Sequence, residues 1–283
     1  MAPLRGVTIR CFREVFSGQI HEAGFAEAVT PFISANPGVD PLKDRELALS
    51  PVATCDTIKV TPQFIGKDPA SLRTCLLRIK EAGYDTADLN CGCPYPMVRN
   101  KGRGSGLLRT PAVLEKMIAT GCETMGEGKF SVKARLGFDR NDELLALMPM
   151  INSYPLRFLT VHARNARQMY DGECDWDAFD KVAAAARMPV VANGDLALPT
   201  ERPCGYSDVM IGRSFIRALG MRDDANELLS KYMNASLAEL CGPSPVLGRM
   251  KELTAYWKDL PRWKRLWPSV KIARTLDELQ QLL

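Results

Sequence analysis

Between residues 23 and 215, seven apolar, strand-like runs alternate with amphipathic helical stretches, the pattern of a parallel α/β sheet. No Gly-x-Gly-x-x-Gly opens that pattern: GRGSG at 102–106 follows a long loop and lacks the spacing, which argues against a doubly wound dinucleotide-binding sheet. A chain of 283 residues holds one large domain of about 200 to 250 residues plus a small appendage. Together these observations predict an α/β protein: a (β/α)8 TIM barrel over 1–222, followed by a small C-terminal helical domain over 223–283.

The strand candidates, in order, are AGFAEAVTPFIS (23–34), TIKVTPQFIG (57–66), TADLN (86–90), FSVKARLG (130–137), RFLTVHA (157–163), PVVANGD (189–195) and DVMIGRSF (208–215). An eighth has to end at MAPL, so either the true start lies upstream or the barrel closes on a stub. Between strands, DPASLRTCLLRIKEAG (68–83), TPAVLEKMIATGCETM (110–125) and DWDAFDKVAAAARM (175–188) carry the 3.6-residue periodicity of helices with one buried face. The segment ALPTERPCGYS, with two prolines, is too short for a regular crossover, so one barrel helix is expected to be shortened or lost.

Composition narrows the function classes. The chain is 46% hydrophobic and 25% charged, with no apolar run near the roughly 18 residues of a membrane span. Arginines interrupt MAPLRGVTIRCFREVF where a signal peptide needs an apolar core. No membrane partner and a cytoplasmic location are therefore expected. Nine cysteines without a C-x-x-C pair, and only His21 and His162, leave no disulfide framework and no zinc site of standard spacing. The net charge of +4 is concentrated in the tail: residues 231–283 carry nine Lys and Arg against five Asp and Glu. Within it, RMKELTAYWKDLPRWKRLWPSVKIAR (249–274) interleaves cations with Trp257, Trp263 and Trp267. That reads as a helical module gripping a phosphate backbone, or as an amphipathic appendage whose tryptophans pack on the barrel.

In a barrel, reactive groups gather at the C-terminal ends of strands. Those ends carry Pro3, Gln63, Asn90 with Cys93, Lys133 with Arg135, His162, Asn193 with Asp195, and Gly212 with Arg213. ANGD and IGR place glycine beside arginine late in the barrel, where backbone N–H groups and a cation can share an anion's charge, and a phosphorylated cofactor is expected there. The alternative is a pair of turn glycines and a surface charge. Lys133 can face the mouth with Arg135 and steady negative charge on a reduced flavin ring, or snorkel to solvent. His162 is a neutral donor to a cofactor or a core histidine. Cys93, at a strand end before a proline, can act as nucleophile or general acid. With no histidine near it in sequence, proton donation is favoured, although Cys91 can equally be the exposed thiol.

Taken together, these strand ends resemble the dihydrouridine synthase family, flavoenzymes that reduce uridine in tRNA. APLRGVT resembles the family's opening, VTPQFIG its Val-Gln-x-x-Gly strand, and DLNCGCPYPMVRNKGRGSGLLRTP its Asn-x-Gly-Cys-Pro signature with a glycine-rich loop. VKARLG, TVHARNARQMYDG, DWDAF, VVANGD and VMIGRSF follow in the family's order. The resemblance implies FMN held by Pro3, Leu4 and Arg5, by Gln63 and Lys133 at the ring, by His162, and by Asn193, Gly194, Asp195, Gly212 and Arg213 toward the phosphate. It implies NADPH as reductant, hydride delivery to carbon 6 of uracil, and Cys93 as proton donor to carbon 5. Asn90, Arg164 and Tyr170 are the implied base contacts. The base has to be extruded from tRNA, the implied partner, and a monomer is expected to suffice. The basic glycine-rich loop is expected to close over the polyanion. Other readings are ribosomal RNA as substrate, a small-molecule FMN reductase, and a lapsed enzyme that only binds RNA.

Overall fold

Two Val-Thr-Pro triplets, at 29–31 and 60–62, each interrupt an apolar run with a residue that cannot donate to a ladder. In the computed structural model, which describes residues 1–44, 46–47, 58–197, 207–240 and 242–283, both runs are split accordingly. The first becomes β1 (Glu27–Val29) and β2 (Ile33–Ser34), the second β3 (Lys59–Thr61) and β4 (Gln63–Ile65). β1 pairs with β3 and β2 with β4. The order continues through β5 (Ala87–Cys91), β6 (Phe130–Gly137), β7 (Leu159–Asn165), β8 (Val190–Asn193) and β9 (Asp208–Met210), every neighbour parallel. Residues 1 and 2 close the ring. Ala2 N–H donates to Ile211 O at 2.7 Å just beyond β9, and Met1 O accepts from Val29 N–H at 3.2 Å. The expected (β/α)8 barrel is thus present, its eighth place held by a two-residue stub.

Helices cover the outside: α1 (Arg10–Val15), α2 (Ser17–Glu22), α3 (Pro69–Glu81), α4 (Pro96–Arg99), α5 (Pro111–Met125), α6 (Glu143–Ile151), α7 (Trp176–Ala185) and α8 (Arg213–Leu219). The aspartates before α3 and α7 cap them, Asp68 accepting from Ser71 N–H and Asp175 from Ala178 N–H, each at 2.9 Å. The expected strand over 208–215 stops at Met210, because Gly212 turns the chain and α8 begins at Arg213. The shortened crossover read from ALPTERPCGYS falls largely on 198–206, outside the described residues.

Four helices complete the chain: α9 (Ala225–Glu239), α10 (Pro243–Thr254), α11 (Pro261–Ile272) and α12 (Leu276–Leu282). Trp257 and Trp263 are fully buried, 4.6 Å apart, and their indole nitrogens donate to Ile216 O and Gly220 O around the end of α8 at 2.6 and 3.0 Å. These two tryptophans are therefore core anchors and not RNA-facing platforms. Only Gly220 leaves room for them, since a Cβ there would lie 2.4 Å from the Trp257 ring. The anchoring sets α10 beside the barrel's N-terminal segment, where Glu252 comes to lie against Gly6.

Candidate active site

At the C-terminal end of the barrel lies a cavity of about 330 Å³, in the range of small-molecule sites. Its barrel lining comes from consecutive strands: Gln63 at the start of β4 just past Pro62, Asn90 near the end of β5, Lys133 and Arg135 of β6, and His162 of β7. Pro3, Leu4 and Arg5 line it from the N-terminal segment and Arg213 from the start of α8. Cys93 and Tyr95 supply the corner after β5.

That corner is held from three sides. Asn90 Oδ1 accepts from the N–H groups of Gly92 and Cys93 at 3.1 and 2.9 Å. Arg135 Nε donates to Gly92 O at 2.9 Å. Ser105 donates to Cys93 O through its N–H (3.1 Å) and its hydroxyl (2.9 Å). Gly104, at φ +57°, packs so closely that a Cβ would stand 2.9 Å from both Cys93 Cβ and Cys93 O. The glycine-rich loop expected to close over a polyanion is instead packed at its centre, with Gly104, Ser105 and Gly106 all buried in a 3₁₀ turn (Gly104–Arg109). It serves as a clamp. Of the two candidate thiols, Cys91 is fully buried in the core and Cys93 lines the cavity.

The site is strongly cationic. Burial and the neighbouring Arg135 bring the Lys133 ammonium down to about 7, and Lys133 Nζ donates to Asn193 Oδ1 at 2.8 Å. Burial and the surrounding cations Arg135, Lys133, Arg164 and Arg213 hold His162 well below its ordinary value, so the ring is neutral. Arg164 Nη1 stands 3.4 Å from His162 Nε2; since a guanidinium only donates, Nε2 accepts and Nδ1 carries the proton. Burial raises the Cys93 thiol, against a Tyr95 backbone hydrogen bond and the charges of Arg135, Arg5 and Lys133. Tyr170 lies between two guanidinium groups, Arg135 Cζ at 5.3 Å and Arg213 Cζ at 4.8 Å from its ring centre. It follows Met169, whose φ of +52° is the single positive value outside glycine among the described residues.

A family model described as dihydrouridine synthase matches residues 1–241. The chain belongs to the dihydrouridine synthase family. Its relatives include tRNA-dihydrouridine synthase B of Vibrio cholerae, 31% identical over 219 residues, which cover 75% of this chain and 66% of that protein. The Escherichia coli K12 protein of the same name is 30% identical over 221 residues, again 75% and 66%. Among solved structures, a variant of NCR from Zymomonas mobilis superposes with a TM-score of 0.54 at 13% identity, covering 77% of this chain and 82% of that one. Morphinone reductase in complex with tetrahydroNAD gives 0.51 at 12% identity, covering 87% and 89%. At such identities the likeness shows the barrel fold.

In this dihydrouridine synthase chain, eleven of the residues singled out from the sequence line one cavity: Pro3, Leu4, Arg5, Gln63, Asn90, Cys93, Lys133, Arg135, His162, Tyr170 and Arg213. The others stand behind it. Asn193 orients Lys133 and donates to Met210 O at 2.7 Å. Asp195 pairs with both Arg213 and Arg164. Burial pushes its carboxyl up, but the Arg164 hydrogen bond and the two positive charges prevail and hold it below the usual range. Arg164 is buried under the site, donating to Gly172 O and Asp195, and is absent from the lining. The glycines near the expected anion site are small for neighbours' sake: a Cβ on Gly194 would sit 2.8 Å from Cys174 Sγ, and one on Gly212 3.1 Å from Ala2 Cβ. Sequence reading missed Tyr95, Glu252 and Tyr256 in the lining. Tyr95 follows Cys93 by two positions and was findable; Glu252 and Tyr256 arrive from the C-terminal helical region, with no local signal.

Proposed function

We propose that this chain reduces a uracil of tRNA to dihydrouracil, using FMN and NADPH, with Cys93 as the acid. The observation that carries the reading is the Cys93 corner: a partly desolvated thiol held rigidly at a cationic cavity ringed by strand ends. The donor set fits FMN. Gln63, Lys133 and the neutral His162 provide an amide, an ammonium and an N–H donor around the cavity, Pro3 and Leu4 give it an apolar wall, and Arg213 offers a cation for the phosphate. Bound there, a reduced flavin supplies hydride to carbon 6 of the base.

Cys93 then gives its proton to carbon 5, so one hydride and one proton are added across the double bond. Burial keeps the thiol protonated near neutral pH, and Arg135, Arg5 and Lys133 favour the thiolate left after transfer. Asn90 and Tyr170 meet the base, while Arg164 acts indirectly, fixing the His162 tautomer and Asp195. The nucleotide has to leave its stack to enter so enclosed a site. Residues 1–222 carry the chemistry and 223–283 the grip on RNA, where α11 exposes Arg262, Lys264, Arg265 and Lys271.

The test is dihydrouridine formation in tRNA from a strain lacking the modification, with FMN-loaded protein and NADPH. Product in tRNA is expected. Turnover of a free pyrimidine or enone without RNA, or tRNA binding with no NADPH oxidation, overturns the reading, and product confined to ribosomal RNA changes its substrate.

A further inference from the structure

Asp88 is fully buried in β5, two residues before Asn90, and has no part in the chemistry above. Its Oδ1 accepts from Ser131 Oγ at 2.6 Å and its Oδ2 from Gln63 Nε2 at 2.8 Å. A carboxylate can only accept. Gln63 therefore turns its nitrogen to Asp88, which leaves Oε1 to receive Asn90 Nδ2 at 2.7 Å. Asn90 is left with Oδ1 for the corner, and that oxygen takes the N–H groups of Gly92 and Cys93. Reversing both amides sets oxygen against oxygen at Asp88 and donor against donor at Cys93.

We infer that Asp88 is a positioning residue, its negative charge fixing the direction of an Asp88–Gln63–Asn90 relay that holds the Cys93 corner with the thiol at the cavity. The inference deepens the proposed function and rests on it for the importance of Cys93. Burial pushes the Asp88 carboxyl up to about 6, against the bonds from Ser131 and Gln63 and the charge of Lys133, with Glu27 adding to the rise. The group is thus ionised at neutral pH, as the relay requires.

Asparagine at 88 can present either end of its amide, so Asp88→Asn removes the imposed direction while keeping the shape. The experiment measures hydrogen–deuterium exchange of purified, flavin-loaded Asp88→Asn, with Ser131→Ala as control, beside steady-state kinetics on tRNA. Exchange at Gly92 and Cys93 is expected to accelerate about tenfold or more in Asp88→Asn, the loss of one buried hydrogen bond, with β6 amides unchanged. Under the same change kcat falls while KM for tRNA holds, and Ser131→Ala keeps the corner protected. Unchanged protection at 92–93 in folded Asp88→Asn overturns the inference, as does equal loosening of all of β6. Should Asp88→Asn fail to fold, Gln63→Met cuts the same relay one step on, and retained protection there overturns it too. Wild-type protein that forms no dihydrouridine sinks the proposed function alone, since the exchange result still decides the relay.

Discussion

Asp88, within β5, and Cys93, just past its end, share one short stretch and face opposite demands. In the proposed reaction the thiol has to keep a proton and then release it; burial raises it, and the charges of Arg135, Arg5 and Lys133 act the other way. Cys93→Ala is expected to slow single-turnover dihydrouridine formation by about 10²- to 10⁴-fold, the range of a lost general acid, with flavin content unchanged. Full activity in that variant removes the acid assignment. Asp88 costs stability instead. Its carboxyl is raised from 3.8 to about 6, so the folded state holds the proton more tightly than the unfolded chain. The corresponding stability is present below about pH 4 and lost as pH rises through about 6, on the order of 3 kcal/mol. Thermal unfolding at pH 4.5 and 7.5 should therefore show Asp88→Asn gaining on the wild type at the higher pH. A gap between the two that does not change with pH removes that assignment.

At the scale of elements, the barrel presents its groups by strand endings and then secures them with loops. β5 ends in the corner, and the 3₁₀ turn at Gly104–Arg109 closes on it with Ser105 bonded twice to Cys93 O. Gly104 is needed twice over, for its positive φ and for the 2.9 Å approach to Cys93. Gly104→Ala is expected to cost about 1–3 kcal/mol of stability, read from the urea midpoint, and to lower turnover by displacing the thiol. A neutral result on both counts shows that the clamp is not tight. The strand breaks at Pro31 and Pro62 play a related part: Gln63 N–H, freed from a regular ladder, donates to Thr30 Oγ1 at 3.0 Å as Gln63 starts β4.

Across the whole molecule, the tail belongs to the site. Buried Trp257 and Trp263 dock the helices that follow α9 onto α8, and the docking brings Glu252 and Tyr256 to the mouth beside Arg5, from the opposite end of the chain. The exposed cations of α11 remain free to meet phosphates. Replacing Arg262 and Arg265 together with glutamine is expected to weaken tRNA binding and reduce the slope of log affinity against log salt by about 1.5, with flavin binding intact. An unchanged slope places the RNA elsewhere. Among the described residues, no helix is long and apolar enough to cross a membrane.

Alternating apolar runs, strand-end residues and the Asn-x-Gly-Cys-Pro signature were enough to read the barrel and most of the cavity lining directly from the chain, because a parallel barrel converts position along a strand into position at the mouth. Arg164 differs: the family resemblance offers it as a base contact, whereas the fold buries it beside His162 and Asp195, outside the lining. Local pattern left the tryptophans open too, since interleaving with cations does not reveal which helix face meets a neighbour. Tertiary packing alone decided that Glu252 and Tyr256 reach the mouth, that the glycine-rich loop clamps rather than closes, and that Asp88 governs the direction of a relay. Each depends on contacts between segments far apart in the chain, which local pattern does not encode.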